Sequence, residues 1–169
     1  MNDIIILSLL LEGPKHGYRL KQDAAMFAAE QQLHNNTVYP LLNRFLKSGW
    51  ITQREAGGER GQTRLLYEIT DAGRKALVEK LNEFSEADAS NENAFRLRVG
   101  LFGELAPADR ERILRLRDTY LAARLERMDR IASAHVLEGW PARTFDYVAN
   151  EKRQERAWIA GLITKIHSD

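Results

Sequence analysis

The sequence predicts a mainly α (α+β) chain in two parts. Three helices, a two-stranded hairpin and a fourth helix come first, and a second part is helical throughout. Three observations carry this. Apolar residues recur at helical spacing over residues 36–48, as Val38, Leu41, Leu42, Phe45 and Leu46. Two short runs, Ile51 to Glu55 and Arg64 to Ile69, flank a glycine-bearing loop, and Leu65, Tyr67 and Ile69 alternate with period two. The stretch from Ser85 to Asn93 is small and acidic without a large apolar side chain, and reads as a connection between the parts.

The elements follow in order. Ile4-Ile5-Ile6-Leu7 and Leu9-Leu10-Leu11 predict a buried helix over Asp3 to Leu11, ended by Gly13-Pro14. Gly17 to Ala29 is a second helix, with Tyr18, Leu20, Ala24 and Phe27 as packing residues. The third runs from Asn36 to Ser48, capped by Asn36 or Thr37. Pro40 is tolerable there in a first turn, whose amides have no intrahelical partner, and Gly49 stops the helix. The loop from Ala56 to Thr63 is too long for a two-residue hairpin, so its tip should project. Thr70 caps a fourth helix ending near Phe84.

Beyond the connection, Phe95 to Phe102 is a short apolar segment, and Pro107 opens a long helix to about Val136. Ile113, Leu116 and Tyr120 form one stripe on it, and Leu114, Leu121, Leu125, Met128 and Ala132 an adjacent one. Together they are wider than a single packing face and ask for cover on two sides. The last helix, after Gly139-Trp140-Pro141, supplies one side with Phe145, Val148, Ile159, Leu162, Ile163 and Ile166. A partner subunit is the expected second cover, and a monomeric helical hairpin is the alternative. The expected domains are residues 1–84 and residues 93–169.

Composition narrows the function. The 169 residues contain no cysteine, which excludes disulfides, thiol nucleophiles and cysteine-ligated zinc. A content of 44% hydrophobic and 29% charged residues is that of a globular protein. The first apolar run is far below the roughly 20 residues of a membrane span and has no basic flank, so a cytoplasmic location is expected. His16, His34, His135 and His167 are scattered without metal-ligand spacing, and no nucleophile elbow or Walker loop occurs. No enzyme, cofactor or metal is expected.

The formal net charge is +1, and neither half is basic in bulk: residues 1–84 hold 11 basic and 10 acidic side chains, residues 85–169 hold 14 of each. Alone this argues against a bulk nucleic-acid binder. Placement argues otherwise. Three short helices and a hairpin with a long loop are the order of a winged helix-turn-helix with a two-stranded wing, whose third helix enters the major groove. That helix would present Asn36, Thr37, Tyr39, Pro40, Asn43, Arg44 and Lys47, and it contains no acid. Arg44 and Lys47 suit phosphate or guanine, Asn43 suits adenine, and Tyr39 and Pro40 suit a thymine methyl or sugar. The loop adds Arg60 and Arg64 with Gln62 between them. Each signal alone is what a solvated helix or turn displays; order and spacing join them. A winged helix serving only protein binding is the rival, and would show an apolar outward face there.

Residues 4–80 resemble the winged-helix domain of the PadR family of bacterial transcriptional regulators. The matching pieces are Ile6-Leu7-Ser8-Leu9-Leu10, then Gly13-Pro14-Lys15-His16-Gly17-Tyr18-Arg19-Leu20, and Asn36-Thr37-Val38-Tyr39-Pro40-Leu41-Leu42. Leu46, Ser48-Gly49-Trp50-Ile51, Arg64, Tyr67 and Ile69-Thr70-Asp71-Ala72-Gly73-Arg74 complete them. The chain departs from the family pattern at Asn36, usually glycine, at Leu65-Leu66-Tyr67, and at Gln62-Thr63 in place of Arg-Pro. The resemblance implies a dimeric repressor that binds palindromic promoter DNA and leaves it on sensing a small molecule. It implies DNA contacts from Tyr39, Pro40 and Lys47, joined by Thr37, Asn43, Arg44, Arg60 and Arg64. His16, Gly17 and Tyr18 take a mainly structural role, the two rings filling a helix junction, with a phosphate contact from His16 or Tyr18 as the alternative. The second half corresponds to a helical dimerisation domain. For effector sensing, Phe95, Trp140, Tyr147 and Trp158 could line an aromatic pocket, with Arg143, Lys152 or Arg156 pairing a carboxylate. Phenolic acids are the first class by analogy, and core or interface packing is the plainer role for these aromatics.

Overall fold

The computed structural model describes residues 1–27, 35–57 and 63–168. They divide into two compact units, Met1–Glu83 and Phe84–Asp169. The first unit holds α1 (Asn2–Leu9), β1 (Lys15–His16), α2 (Gly17–Phe27), α3 (Asn35–Lys47), β2 (Ile51–Gly57), β3 (Thr63–Ile69) and α4 (Asp71–Asn82). It is a winged helix-turn-helix.

Aliphatic packing builds it. Ile4, Ile6, Leu7 and Leu10 meet Leu20, Val38, Leu42, Phe45, Leu77 and Leu81 in one core, all buried. Each such side chain contributes about 1.5–3 kcal/mol relative to exposure. The sheet has three strands rather than two, in the order β1-β3-β2, all antiparallel. Lys15 pairs with Tyr67 and His16 with Leu66. Two residues are too few to show a period, which is why this strand escapes a pattern search. Along β3, Tyr67 and Ile69 face the core as the alternation predicts, whereas Leu65 is exposed near the outer end.

Gly49 does end α3. It adopts φ +69, Trp50 N–H donates to Phe45 C=O at 2.9 Å, and Gly49 N–H to Leu46 C=O at 3.1 Å. This is a Schellman arrangement, completed by Phe45 and Trp50 rings 5.4 Å apart. Thr70 caps α4 by accepting from Gly73 N–H at 3.1 Å, while Thr70 N–H donates to Trp50 C=O at 3.0 Å. A Cβ on Gly73 would stand 2.0 Å from that same carbonyl oxygen, so α4 lies against the α3–β2 corner only because position 73 has no side chain.

The second unit holds α5 (Glu86–Ala89), α6 (Glu92–Gly100), a 3-10 turn (Phe102–Glu104), α7 (Pro107–Ala134) and α8 (Gly139–Ile166). The segment expected to be a mere connection is partly helical. Ser85 and Asp88 form a capping box, and Ala89 and Ala94 are buried. Small residues there serve close packing. The two-sided cover that α7 requires comes from within the unit: α8 lies along one side, and α5 and α6 pack on another. Ile113, Leu114, Leu121, Leu125 and Met128 are buried, Leu116 and Tyr120 half-buried, Ala132 exposed. The stripes therefore need no partner subunit over the first half of α7. Among the described residues no helix is long and apolar enough to cross a membrane.

Candidate nucleic-acid interface

The core residues of α3 lie on one side, so the others must face away. Pro40, Asn43 and Lys47 are exposed, Thr37 is half-buried, and Tyr39 is 46% exposed. Pro40 lies further into the helix than a first turn, because α3 starts at Asn35. It therefore removes one ladder amide on the outward side. Tyr39 is anchored where it emerges: its Cε1 lies 3.0 Å from where a Cβ on Gly17 would be, and Tyr67 Cε2 lies 3.3 Å from the same point. Gly17 thus makes room for two tyrosine rings. Burial pushes the Tyr67 hydroxyl above its ordinary value, and the neighbouring Tyr39 adds to this.

The neighbouring turn divides. His16 Nδ1 lies 3.1 Å from the Leu65 carbonyl oxygen, so its ring meets the β3 backbone rather than a junction between helices. Tyr18 does not fill a junction; it is 63% exposed, with Gln22 donating to its hydroxyl at 3.0 Å. Helical spacing put Tyr18 near the apolar set, but its direction at the start of α2 is outward.

The cations are not equivalent. Lys47 has no ion-pair partner among the described residues, whereas Arg44 donates through Nη2 to Asp3 on α1. Arg64 is exposed on β3, paired in register with Ala56. Arg60 lies outside the described residues.

The residues offered for effector sensing fall into separate groups. Phe95 is fully buried in the second unit, edge-on to Trp158 with centroids 6.2 Å apart. Trp140 is 77% exposed at the start of α8, with the Arg143 guanidinium 5.1 Å over its ring. Trp140 and Trp158 are separated by about 27 Å of helix. Tyr147 is exposed and donates to Glu151, Lys152 is half-buried, and Arg156 is occupied by Asp118 through bonds of 2.7 and 3.1 Å. That hydrogen-bonded carboxylate raises the Arg156 guanidinium above its ordinary value. The fold of one chain does not gather these seven residues into one pocket.

Residues 6–79 match the sequence model of the Transcriptional regulator PadR-like family. The chain belongs to this family through its winged-helix unit. That unit is the winged helix of a PadR-like transcriptional regulator. Similar solved structures include a transcriptional regulator from Clostridium thermocellum, 34% identical over 48% of this chain and 79% of that one, with a TM-score of 0.43. Bacillus subtilis PadR in complex with operator DNA is 16% identical over 97% and 98% of the two chains, with a TM-score of 0.47. The same protein in complex with p-coumaric acid is 16% identical over 98% of each, with a TM-score of 0.44. Among curated proteins there is no match.

Proposed function

We propose that this PadR-like protein is a repressor that binds palindromic promoter DNA as a homodimer and is released by a small aromatic effector. The observation that carries the DNA reading is α3 itself. Its outward side combines Pro40, Asn43 and Lys47, all exposed, with Tyr39 half-exposed beside them, and residues 36–48 contain no acid. A protein-binding winged helix would need an apolar face there, and this one is polar and basic. Thr37 and the wing residues Arg60 and Arg64 extend the proposed contact.

Support for dimerisation is the far end of the α7–α8 hairpin, where Ile131, Val136, Trp140 and Tyr147 are exposed together with the solvent-facing Ala132. The effector class rests on the family resemblance, with Phe95, Trp140, Arg143, Tyr147, Lys152, Arg156 and Trp158 as its candidate residues.

A gel-shift titration with the protein's own promoter region tests the DNA reading. Affinity should fall steeply with salt, and Lys47→Ala should weaken binding and flatten the log–log salt slope by about one phosphate contact. A salt-insensitive shift, or none, refutes it. Adding p-coumarate to the same assay should dissolve the complex, and light scattering should return twice the chain mass.

A further inference from the structure

We infer that Asp3 sets the DNA affinity of this protein by holding Arg44 off the phosphate backbone. The inference rests on the DNA reading of α3 proposed above and concerns how that helix is charged.

Val38, Leu42 and Phe45 define the buried side of α3 and Asn43 and Lys47 its outward side; Arg44 stands on the flank between them. Its guanidinium reaches sideways to α1, with Cζ 5.3 Å over the Phe45 ring and Nη2 donating to Asp3 Oδ1. The second oxygen of Asp3 lies 3.3 Å from Lys80 Nζ of α4. One carboxylate thus serves two cations, one of them on the groove-facing helix.

The two are held differently. The Lys80 side chain is 25% exposed, with Nζ 5.5 Å over the Trp50 ring, so aromatic packing and Asp3 keep it in place together. The Arg44 side chain is 53% exposed and its acid 20%. An exposed ion pair in water is weak, but a phosphate is only an equivalent acceptor, so exchanging Asp3 for one gains Arg44 little on nonspecific DNA. If Arg44 left, Asp3 would keep Lys80, and no buried charge would be stranded. The pair is therefore an exchangeable restraint. While it is closed, Lys47 is the cation of α3 without an ion-pair partner among the described residues; once opened, Arg44 adds a second phosphate contact. A chain of net charge +1 would use such an acid to keep nonspecific attraction low.

The test is binding of the full-length protein to a random-sequence duplex at several salt concentrations, with Asp3→Asn, Arg44→Gln, the double variant, and Lys47→Ala as a reference. Asp3→Asn should tighten binding about three- to tenfold and steepen the log–log slope by about 0.9, the increment of one phosphate. Arg44→Gln alone should leave the slope at its wild-type value, and in its background Asp3→Asn should no longer steepen it. Thermal melting checks that each variant is folded, and Asp3→Ser replaces Asp3→Asn if the latter is not. An equal gain from Asp3→Asn with and without Arg44 would overturn the inference, since loss of an acid alone would then explain it. So would a slope lowered by a full contact in Arg44→Gln, because Arg44 would already be on the DNA. Those results leave the DNA reading intact; that reading falls if wild type shows no salt-dependent binding.

Discussion

The two units of this chain use charge in opposite ways. The winged-helix unit buries aliphatic and aromatic side chains and keeps most of its ions at the rim, as Arg44, Asp3 and Lys80 do; among the described residues its one buried ion, Asp23, is paired with Arg19 and Lys15. The helical unit puts a guanidinium at its centre. Arg117 is 2% exposed, donates to Glu155 from Nε and Nη2 at 2.7 and 2.9 Å, and to the Ala89 carbonyl from Nη1 at 2.7 Å. Phe95 and Tyr120 rings flank it at 5.4 and 5.6 Å. One side chain thereby ties α5, α7 and α8 together. The lesson is that nonspecific burial suffices where short helices close around a sheet, whereas two long helices can slide along each other. Arg117–Glu155, with the neighbouring Asp118–Arg156, sets the register of α7 on α8.

The largest effect should come from breaking that pair. Glu155→Ala leaves Arg117 buried without its acid and should cost about 3–5 kcal/mol in urea denaturation. Replacing both, as Arg117→Met with Glu155→Leu, should recover much of the loss but loosen the helix register, visible as faster amide exchange along α8. A Glu155→Ala chain as stable as wild type would mean that the helical unit, too, rests on apolar packing.

The matching break in the winged-helix unit is steric. Gly73→Ala drives a Cβ into the Trp50 carbonyl and should cost about 3 kcal/mol, read by the same denaturation. Thr70→Ala removes the cap at the same corner and should cost about 1 kcal/mol, seen as a lower melting temperature with the fold retained.

The smallest effect is on the acid side of neutrality. Hydrogen bonding from the Ser85 backbone, with the Ser85 hydroxyl and Arg98 adding, holds the Asp88 carboxyl below its ordinary 3.8. A carboxyl lowered on folding stabilises above that ordinary value and loses its contribution as pH falls through the lowered one. Melting temperature should therefore drop on strong acidification, and the drop should be shallower in Asp88→Asn.

Local rules were legible wherever neighbours in sequence satisfy each other. Gly49 ends α3, Thr70 caps α4, and Val38, Leu42 and Phe45 face inward, because periodicity and capping act over four residues or fewer. The outward side of α3 followed by subtraction. The outward direction of Tyr18 is not legible because a helix start gives too few turns to define a face, nor is β1, because two residues hold no pattern. The short helix α5 was hidden by a composition that suits both a linker and a tightly packed turn.

The sequence by itself therefore determined the order of elements, the apolar sides of the helices, the family of the winged-helix unit and the acid-free face of α3. Only the tertiary structure decided which cation on that face is open and which is held. Arg44 and Asp3 are 41 residues apart, and Arg117 and Glu155 are 38. Any of 24 acids is an equal partner for either arginine until folding sets distance and solvent exposure. Coulomb attraction in water is too weak and too quickly screened to select one of them beforehand. Packing of the apolar faces brings a few partners within reach, and the ion pair then fixes one arrangement among them.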